Sequence, residues 1–206
     1  PLRFLKSVLQ SQSRTFATAG VGFLFMQIIR SGPQVIIPLY AANLLNMDVQ
    51  TIGWVMSLSS SIDMLLFYPT GMIMDRWGRK RAIILSCLLI ASGLALVPFS
   101  NSFPSLLVAG MLAGFGNGFG SGAMLTLGAD LAPKTGRSEF LGAWTLIGDV
   151  GATSGPLAVG GLAERLPLSA TAWIISMAGV TAALIFGLFV AETLKKRQPL
   201  PQKSNP

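Results

Sequence analysis

Six long apolar segments restrict most strongly what this chain can fold into. They cover approximately residues 16–44, 50–74, 82–100, 104–131, 139–163 and 168–191. An α-helix needs about 20 apolar residues to cross about 30 Å of hydrocarbon. Backbone groups in lipid must be hydrogen-bonded internally, so such segments form helices. We therefore expect an all-α polytopic membrane protein with six transmembrane helices between a leader, residues 1–15, and a tail, residues 192–206.

Composition supports this class and excludes several others. Of the 206 residues, 51% are apolar and 11% are charged, whereas soluble domains are about a quarter charged. The chain has no histidine, and its single cysteine, Cys87, lies inside an apolar segment, so we expect no metal site and no disulfide. Neither a nucleophile–base set nor a Gly-x-x-x-x-Gly-Lys-Ser/Thr loop for ATP is visible. An enzyme is the least expected class, and no cofactor is expected.

The basic residues indicate the orientation in the membrane. Thirteen of the fifteen fall on one side of the predicted spans, Arg165 falls on the other side, and Arg30 lies within a span. Cytoplasmic loops are enriched in Lys and Arg. We therefore expect both termini, the leader and the basic tail in the cytoplasm, in an inner or plasma membrane. The net charge of +7 is then a topology signal and not a nucleic-acid surface.

A charged loop joins the second and third spans. Its characteristic residues, in chain order, are Gly71, Asp75, Arg76, Gly78, Arg79 and Lys80. Gly71 would let a neighbouring helix approach closely, and Gly78 permits the positive φ of a tight turn. Asp75 can pair with a cation or accept hydrogen bonds at a helix N-terminus, so we expect it to act as a conformational latch. The alternative is a charged turn such as any multi-span protein has.

These six residues resemble the signature loop of the major facilitator superfamily of secondary transporters. The resemblance implies a six-helix half built as a 3+3 inverted repeat, with triplets at 16–100 and 104–191. The basic leader without methionine and the exit Glu192-Thr193-Leu194 resemble those of the C-terminal half, so an N-terminal six-helix half would be the missing partner. It also implies alternating access, a small-molecule substrate and an ion gradient as energy source, with protons as the candidate ion.

Three charged residues lie deep inside predicted spans. Arg30, Asp63 and Asp149 are each ten or more residues from a span end, so all three are expected near the midplane, where a charge costs about 2.5–3.5 kcal/mol. The first, second and fifth spans would then face a cavity, and the third and sixth would face lipid. The cluster would either be a structural ion pair or bind substrate and a coupling ion. Asp63 is the favoured titrating group because Ser59 and Ser60 share its helical face.

Glycines dominate one face of the fourth span. The residues spaced by four are Gly110, Gly114, Gly118 and Gly122. Glycine costs about 1 kcal/mol against alanine in a helix, so the face predicts close helix packing, or sliding and bending during gating. Asn117 on the same helix could reach a substrate.

The fifth span contains Gly155 followed by Pro156. This pair resembles the glycine-proline motif of drug/proton antiporters in the superfamily, and it implies an exporter of drugs or metabolites. The alternative is a proline kink packed through small residues. For the whole chain, the alternative to a transporter is a truncated or non-transporting six-span module that serves as an assembly or regulatory subunit.

Overall fold

Long α-helices make up nearly all of the chain that the computed structural model describes, which is residues 10–192 without the Phe67 side chain. The helices are α1 (Ser13–Asn43), α2 (Val49–Trp77), α3 (Arg79–Leu96), α4 (Phe103–Leu131), α5 (Arg137–Ala163) and α6 (Leu168–Phe189). A π-helical segment, Phe16–Gly20, lies within α1, and a 3-10 turn, Val97–Phe99, follows α3. Residues 1–9 of the predicted leader and 193–206 of the predicted tail lie outside the described residues.

The helices have the length and composition of membrane spans. Four of those described, α1, α3, α4 and α6, are both long and apolar enough to cross a bilayer. The 29 residues of α2 and the 27 of α5 are long enough, but their apolar character is diluted by serines around Asp63 and by glycines around Asp149. The predicted fold class, an all-α polytopic membrane protein, is confirmed. Crossing by α2 and α5 stays a prediction.

Local chemistry sets the helix ends. Asp48 caps α2, because its carboxylate accepts hydrogen bonds from the Thr51 hydroxyl at 2.5 Å and the Thr51 N–H at 3.3 Å. The hydroxyl bond lowers the pKa of Asp48. Gly78 separates α2 from α3 with a φ of +99°, and Gly136 precedes α5 with a φ of +78°. These angles lie in the region that glycine adopts readily.

The helices pack as a folded row in the order α2, α4, α3, α6, α1 and α5. The row closes on itself where α1 approaches α4, and the fully buried core residues there include Met26 and Ile29 of α1 and Leu94 of α3. The ends of the row, α2 and α5, leave apolar faces exposed, as Met64 and Leu157 illustrate. A cleft between α1, α2 and α4 is the result.

Candidate functional site

A chain of polar side chains connects α1, α4 and α2 in the middle of the bundle. The Arg30 Nε–H donates to Asn117 Oδ1 at 2.7 Å, and the Asn117 Nδ2–H donates to an Asp63 carboxylate oxygen. The two ion pairs found within residues 10–192 both involve Arg79. Arg30 therefore reaches Asp63 through the Asn117 amide and not by a direct ion pair. We call Arg30, Asn117 and Asp63 the relay.

The amide of Asn117 can take only one orientation in the relay. Its oxygen must face the Arg30 Nε–H, since guanidinium has donors and no acceptor, and its NH₂ must face the carboxylate, which only accepts while it is ionised. The positive and negative groups therefore fix the amide from both sides. A polar link of this kind is expensive in lipid, where each charge costs about 2.5–3.5 kcal/mol at the midplane.

The rest of the Arg30 guanidinium is bound by uncharged oxygens. Its Nη2 donates to the Ser121 hydroxyl at 2.7 Å and its Nη1 donates to Gln27 Oε1 at 3.3 Å. Ser121 lies one turn beyond Asn117 on α4, and Gln27 lies one turn before Arg30 on α1. Uncharged oxygens thus hold the Arg30 cation in place, and the Asn117 amide separates it from the Asp63 carboxylate.

The relay forms one end of a cavity of about 60 Å³. From the relay, the lining extends along α1 to Ile37, along α2 to Met56 and along α4 to Gly110. All three directions lead away from the charged loop and toward the opposite end of the bundle. The volume is sufficient for a few waters or a small ligand group, and both relay charges line it.

Asp149 does not join the relay, so the predicted three-residue cluster is wrong in that part. Its side chain is exposed on α5, and within the described chain it makes no hydrogen bond or ion pair. The α5 face that contacts α1 places Gly148 against Phe23 and Gly151 against Leu24. Asp149 is therefore level with Leu24, about 9 Å along α1 from Arg30 at 1.5 Å rise per residue.

The predicted division of helices changes accordingly. The described cavity is lined by α1, α2 and α4, with Ile90 contributed by α3 and no residue contributed by α5. Of the spans expected to face a cavity, α1 and α2 line this one, whereas α5 packs on the other side of α1 and contributes no residue to it. The fourth span replaces it and supplies the central side chain, Asn117.

Arg79 is the centre of the charged loop. Its Nε lies 3.1 Å from Asp130 Oδ2 at the end of α4, and its Nη2 lies 3.7 Å from Asp75 Oδ1. The backbone N–H of Arg79 donates to Glu192 Oε1 at 3.0 Å. A carboxylate at a helix N-terminus is stabilised by the helix dipole. The start of α3 is thus tied to the end of α4 and to the segment that follows α6.

The neighbouring base strengthens the same junction. Lys80 Nζ donates to the Gly187 carbonyl at 2.7 Å, near the C-terminal end of α6, where a cation is favourable. Asp75 is 75% exposed at its side chain, so it contributes little to holding this junction. At Gly71 no atom lies within 4 Å of the position a Cβ would take. The expected close approach of a helix there is not found within the described chain.

The glycine face of α4 lies against α2. A Cβ at Gly114 would meet the Ser59 carbonyl oxygen, and a Cβ at Gly118 would lie 2.9 Å from the Asp63 carbonyl oxygen. A Cβ at Gly110 would meet the Ser59 hydroxyl at 2.5 Å, whereas at Gly122 only Met74 Cε comes near, at 3.3 Å. Close approach at Gly118 is what brings Asp63 within reach of Asn117.

The glycine-proline pair of α5 packs on α1. A Cβ at Gly155 would meet the Ser31 hydroxyl oxygen and would lie 3.1 Å from the Ile28 carbonyl oxygen. Pro156 follows inside the continuous helix α5. In the described chain the pair therefore lies at a contact between two helices.

The sequence suggested only that Asn117 could reach a substrate, and it did not identify Gln27, Ser121 or Asp130 as partners. Helical spacing holds a partial signal, because Asn117 and Ser121 are four residues apart and Gln27 and Arg30 are three apart. Each pair therefore shares one face of its helix. What the spacing does not contain is that the two faces meet.

Comparisons with known proteins give the family that the chain matches. A family model described as Major Facilitator Superfamily matches residues 19–206. An uncharacterized membrane protein of Saccharomyces cerevisiae is 30% identical over 138 residues, which are 63% of this chain and 31% of that protein. An MFS-type efflux transporter of Aspergillus flavipes is 28% identical over 126 residues, which are 61% of this chain and 22% of that protein.

A solved structure shows the same fold. The human organic anion transporter MFSD10 superposes with a TM-score of 0.64 at 21% sequence identity, over 92% of this chain and 50% of the human chain. The match thus spans half of that structure, and less than a third of the yeast and Aspergillus relatives.

Proposed function

Because the chain belongs to the major facilitator superfamily, we propose that its helices form part of a secondary transporter that moves small solutes by alternating access. In this scheme the helices described here rock against a second set of six helices, and the cleft between α1, α2 and α4 is this set's share of the solute pathway. The exposed apolar faces of α2 and α5 are available for that contact and for lipid.

The relay is the single observation that carries the proposal. Arg30 and Asp63 are ionisable groups in the middle of the long helices α1 and α2, and both line the cavity. Such groups are costly in a bilayer and mark ion or substrate pathways when they face a cavity. A purely structural pair would gain most from direct contact, whereas here the charges are separated by an amide and open to the cavity.

Alternating access needs an inward-facing and an outward-facing state, and the contacts of the charged loop are where we propose that these two states differ. Arg79 joins α3 to Asp130 of α4 and, through its backbone, to Glu192 after α6. Asp75 is exposed beside it and is free to form contacts in another conformation. We propose that Asp75 acts as the latch there, at the cytoplasmic end of the helices.

Protons are the proposed coupling ion, because Asp63 is the acidic member of the relay and lines the cavity. A charge that crosses the membrane gains about 2.3 kcal/mol per 100 mV, which is enough to drive modest accumulation. Export of a metabolite or drug is the proposed direction. It is supported by the name of the Aspergillus relative, an efflux transporter, and by the resemblance at Gly155 and Pro156.

A substrate panel with matched variants tests the proposal. Cells that express the intact protein are exposed to a library of labelled or toxic small molecules, and their accumulation is compared with that in cells expressing Arg30→Gln. Ser61→Ala is the control, since the Ser61 hydroxyl is exposed and bonds only to the Ser57 carbonyl of its own helix. We expect at least one compound to be moved by the wild type and the control but not by Arg30→Gln.

Two results of this assay would contradict the proposal. If membrane-inserted wild-type protein changes the accumulation of no compound, the alternative of a non-transporting six-span module is favoured. If Arg30→Gln transports as well as the wild type while it is equally abundant, the relay does not belong to the pathway.

A further inference from the structure

The exposed surface of α5 divides into two strips of different chemistry. Beside the face that contacts α1 lies a strip of small and polar residues spaced by three and four, which places them on one side of the helix. We call it the polar flank, and its members are Gly142, Thr145, Asp149, Ala152, Pro156 and Gly160. The second strip, about a quarter turn away, carries large apolar side chains that are half exposed or more, namely Leu146, Val150 and Leu157.

Asp149 puts an ionisable group on the polar flank. Its side chain is exposed, and among residues 10–192 it has no hydrogen-bond or ion-pair partner. It lies close to the middle of the 27-residue helix α5. A charge at the middle of a membrane helix costs about 2.5–3.5 kcal/mol when it faces lipid. This cost argues against lipid as the neighbour of the polar flank.

Pro156 adds a second acceptor to the same flank. A proline inside a helix has no N–H, so the carbonyl four residues earlier, that of Ala152, loses its usual helical donor. Backbone groups in lipid must be hydrogen-bonded, and Ala152 is exposed. The Asp149 carboxylate, about one turn away, also accepts hydrogen bonds and donates none while it is ionised. The polar flank therefore offers acceptors to a neighbour that brings donors and a positive charge.

The shape of the polar flank suits a helix. At Gly142 and at Gly160 no atom lies within 4 Å of the position a Cβ would take, so both positions are open to an approaching backbone. Small residues permit such close approach between membrane helices. Between the two glycines the flank is about 27 Å long at 1.5 Å rise per residue, which is close to the hydrocarbon thickness of about 30 Å. A helix that covers it crosses the whole layer.

We propose that the polar flank docks a membrane-crossing helix of the second set of helices, and that this helix presents an arginine or a lysine to Asp149. This inference rests on the proposed transport function, which calls for that second set, and it names the surface and the chemistry of the contact. The region matched by this chain covers half of the human transporter and less than a third of the yeast and Aspergillus relatives. Those proteins therefore contain the additional length that such a helix requires.

A cation on the docked helix would make the contact electrically neutral. The cation that α1 carries, Arg30, is already held by side chains of α1 and α4, and it lies about 9 Å along α1 from the level of Asp149. An arginine suits the flank better than a lysine, because its five N–H donors are enough for the carboxylate and for the Ala152 carbonyl. The apolar strip of α5 then faces lipid.

Photo-crosslinking in membranes identifies the neighbour of the polar flank. A small diazirine amino acid is placed at Ala152 of the intact protein, and the matched control carries the same group at Val150, on the apolar strip of the same helix. After illumination, the adducts are digested and identified by mass spectrometry. We expect Ala152 to label a helix from outside residues 1–206 that contains an Arg or Lys within two turns of the adduct. We expect Val150 to label lipid.

Charge exchange tests the pairing itself. Asp149→Lys should reduce the Ala152 adduct at least tenfold, because two cations would then face each other, whereas Asp149→Glu should keep it. Replacing the Arg or Lys of the labelled helix by Glu in the Asp149→Lys protein should restore the adduct. Restoration in the double variant separates loss of the ion pair from misfolding of the single variant.

Every other result at Ala152 overturns the inference. Lipid adducts would show that the flank faces the bilayer, and solvent adducts alone would show that it is filled with water. Labelling of a second copy of this chain would favour self-association of a six-span module. A labelled helix without Arg or Lys, or no restoration by charge exchange, would remove the cation. None of these measurements uses transport, so the expected adducts in a protein that moves no compound would keep the docking surface and remove the proposed function.

Discussion

Substituting Gly116 by alanine should loosen the contact between α3 and α4 more than the length of one methyl group suggests. A Cβ at Gly116 would lie 2.6 Å from the Ile90 backbone nitrogen, 2.7 Å from Ile90 Cγ1 and 2.8 Å from the Ser86 carbonyl oxygen. All three distances are shorter than real Cβ contacts, and two of the atoms belong to the backbone. The two helices must therefore separate, since no side-chain rotation relieves the clash.

The magnitude follows from two opposing terms. Overpacking a well-packed core costs typically about 1–3 kcal/mol, and the backbone contacts on both sides place Gly116 near the upper end. Alanine regains about 1 kcal/mol of helix propensity over glycine. The expected net loss is about 2 kcal/mol, which corresponds to roughly a thirtyfold change in the ratio of folded to unfolded protein.

Gly122→Ala is the matched control on the same helix. Its Cβ would meet only Met74 Cε, at 3.3 Å, the far end of a flexible side chain. The propensity gain is the same as at Gly116, so the difference between the variants isolates the clash, about 3 kcal/mol by the same reckoning. Equilibrium unfolding in mixed detergent micelles measures both. Equal stabilities would refute the packing argument for Gly116.

Three further predictions concern topology and the charged residues. A cysteine at Asn101 should react with an impermeant maleimide in intact cells, while one at Thr135 should react only after permeabilisation; the reverse pattern would invert the orientation. Asp75→Asn should slow turnover and leave substrate affinity within a few-fold, because Asp75 is 3.7 Å from Arg79 and mostly exposed; a large loss of affinity at normal turnover would contradict the latch. Asp149→Asn should leave the proton count per transported solute unchanged, since Asp149 lies outside the relay, and loss of proton coupling in vesicles would return it to the mechanism.

Hydropathy and motif order were sufficient to predict the fold class and the family. Both depend on features that the sequence states directly, namely apolar length and the order of residues from Gly71 to Lys80. The role given to Gly71 could not be tested in the same way, because the helix it was expected to accommodate is not found beside it in the described chain.

The composition of the site was harder to predict, because depth and direction are separate properties of a residue in a helix. Counting from span ends gave Asp149 a depth similar to that of Arg30, but span ends in different helices do not share one plane. The glycines of α5 contained the information about which side of the helix Asp149 lies on. Gly148, Gly151 and Gly155 mark the α5 face that touches α1, and the three-to-four-residue spacing excludes Asp149 from that face.

The importance of Asn117 could not be read from the sequence for a further reason. An amide in an apolar helix has no preferred partner until a donor and an acceptor arrive from two other helices. Here the approach depends on Gly118, where a side chain would meet the Asp63 carbonyl oxygen at 2.9 Å. The glycine face was interpreted as packing and the charges as function. In the structure they are one feature, because the packing of α4 on α2 sets the distance across which Arg30 and Asp63 are linked.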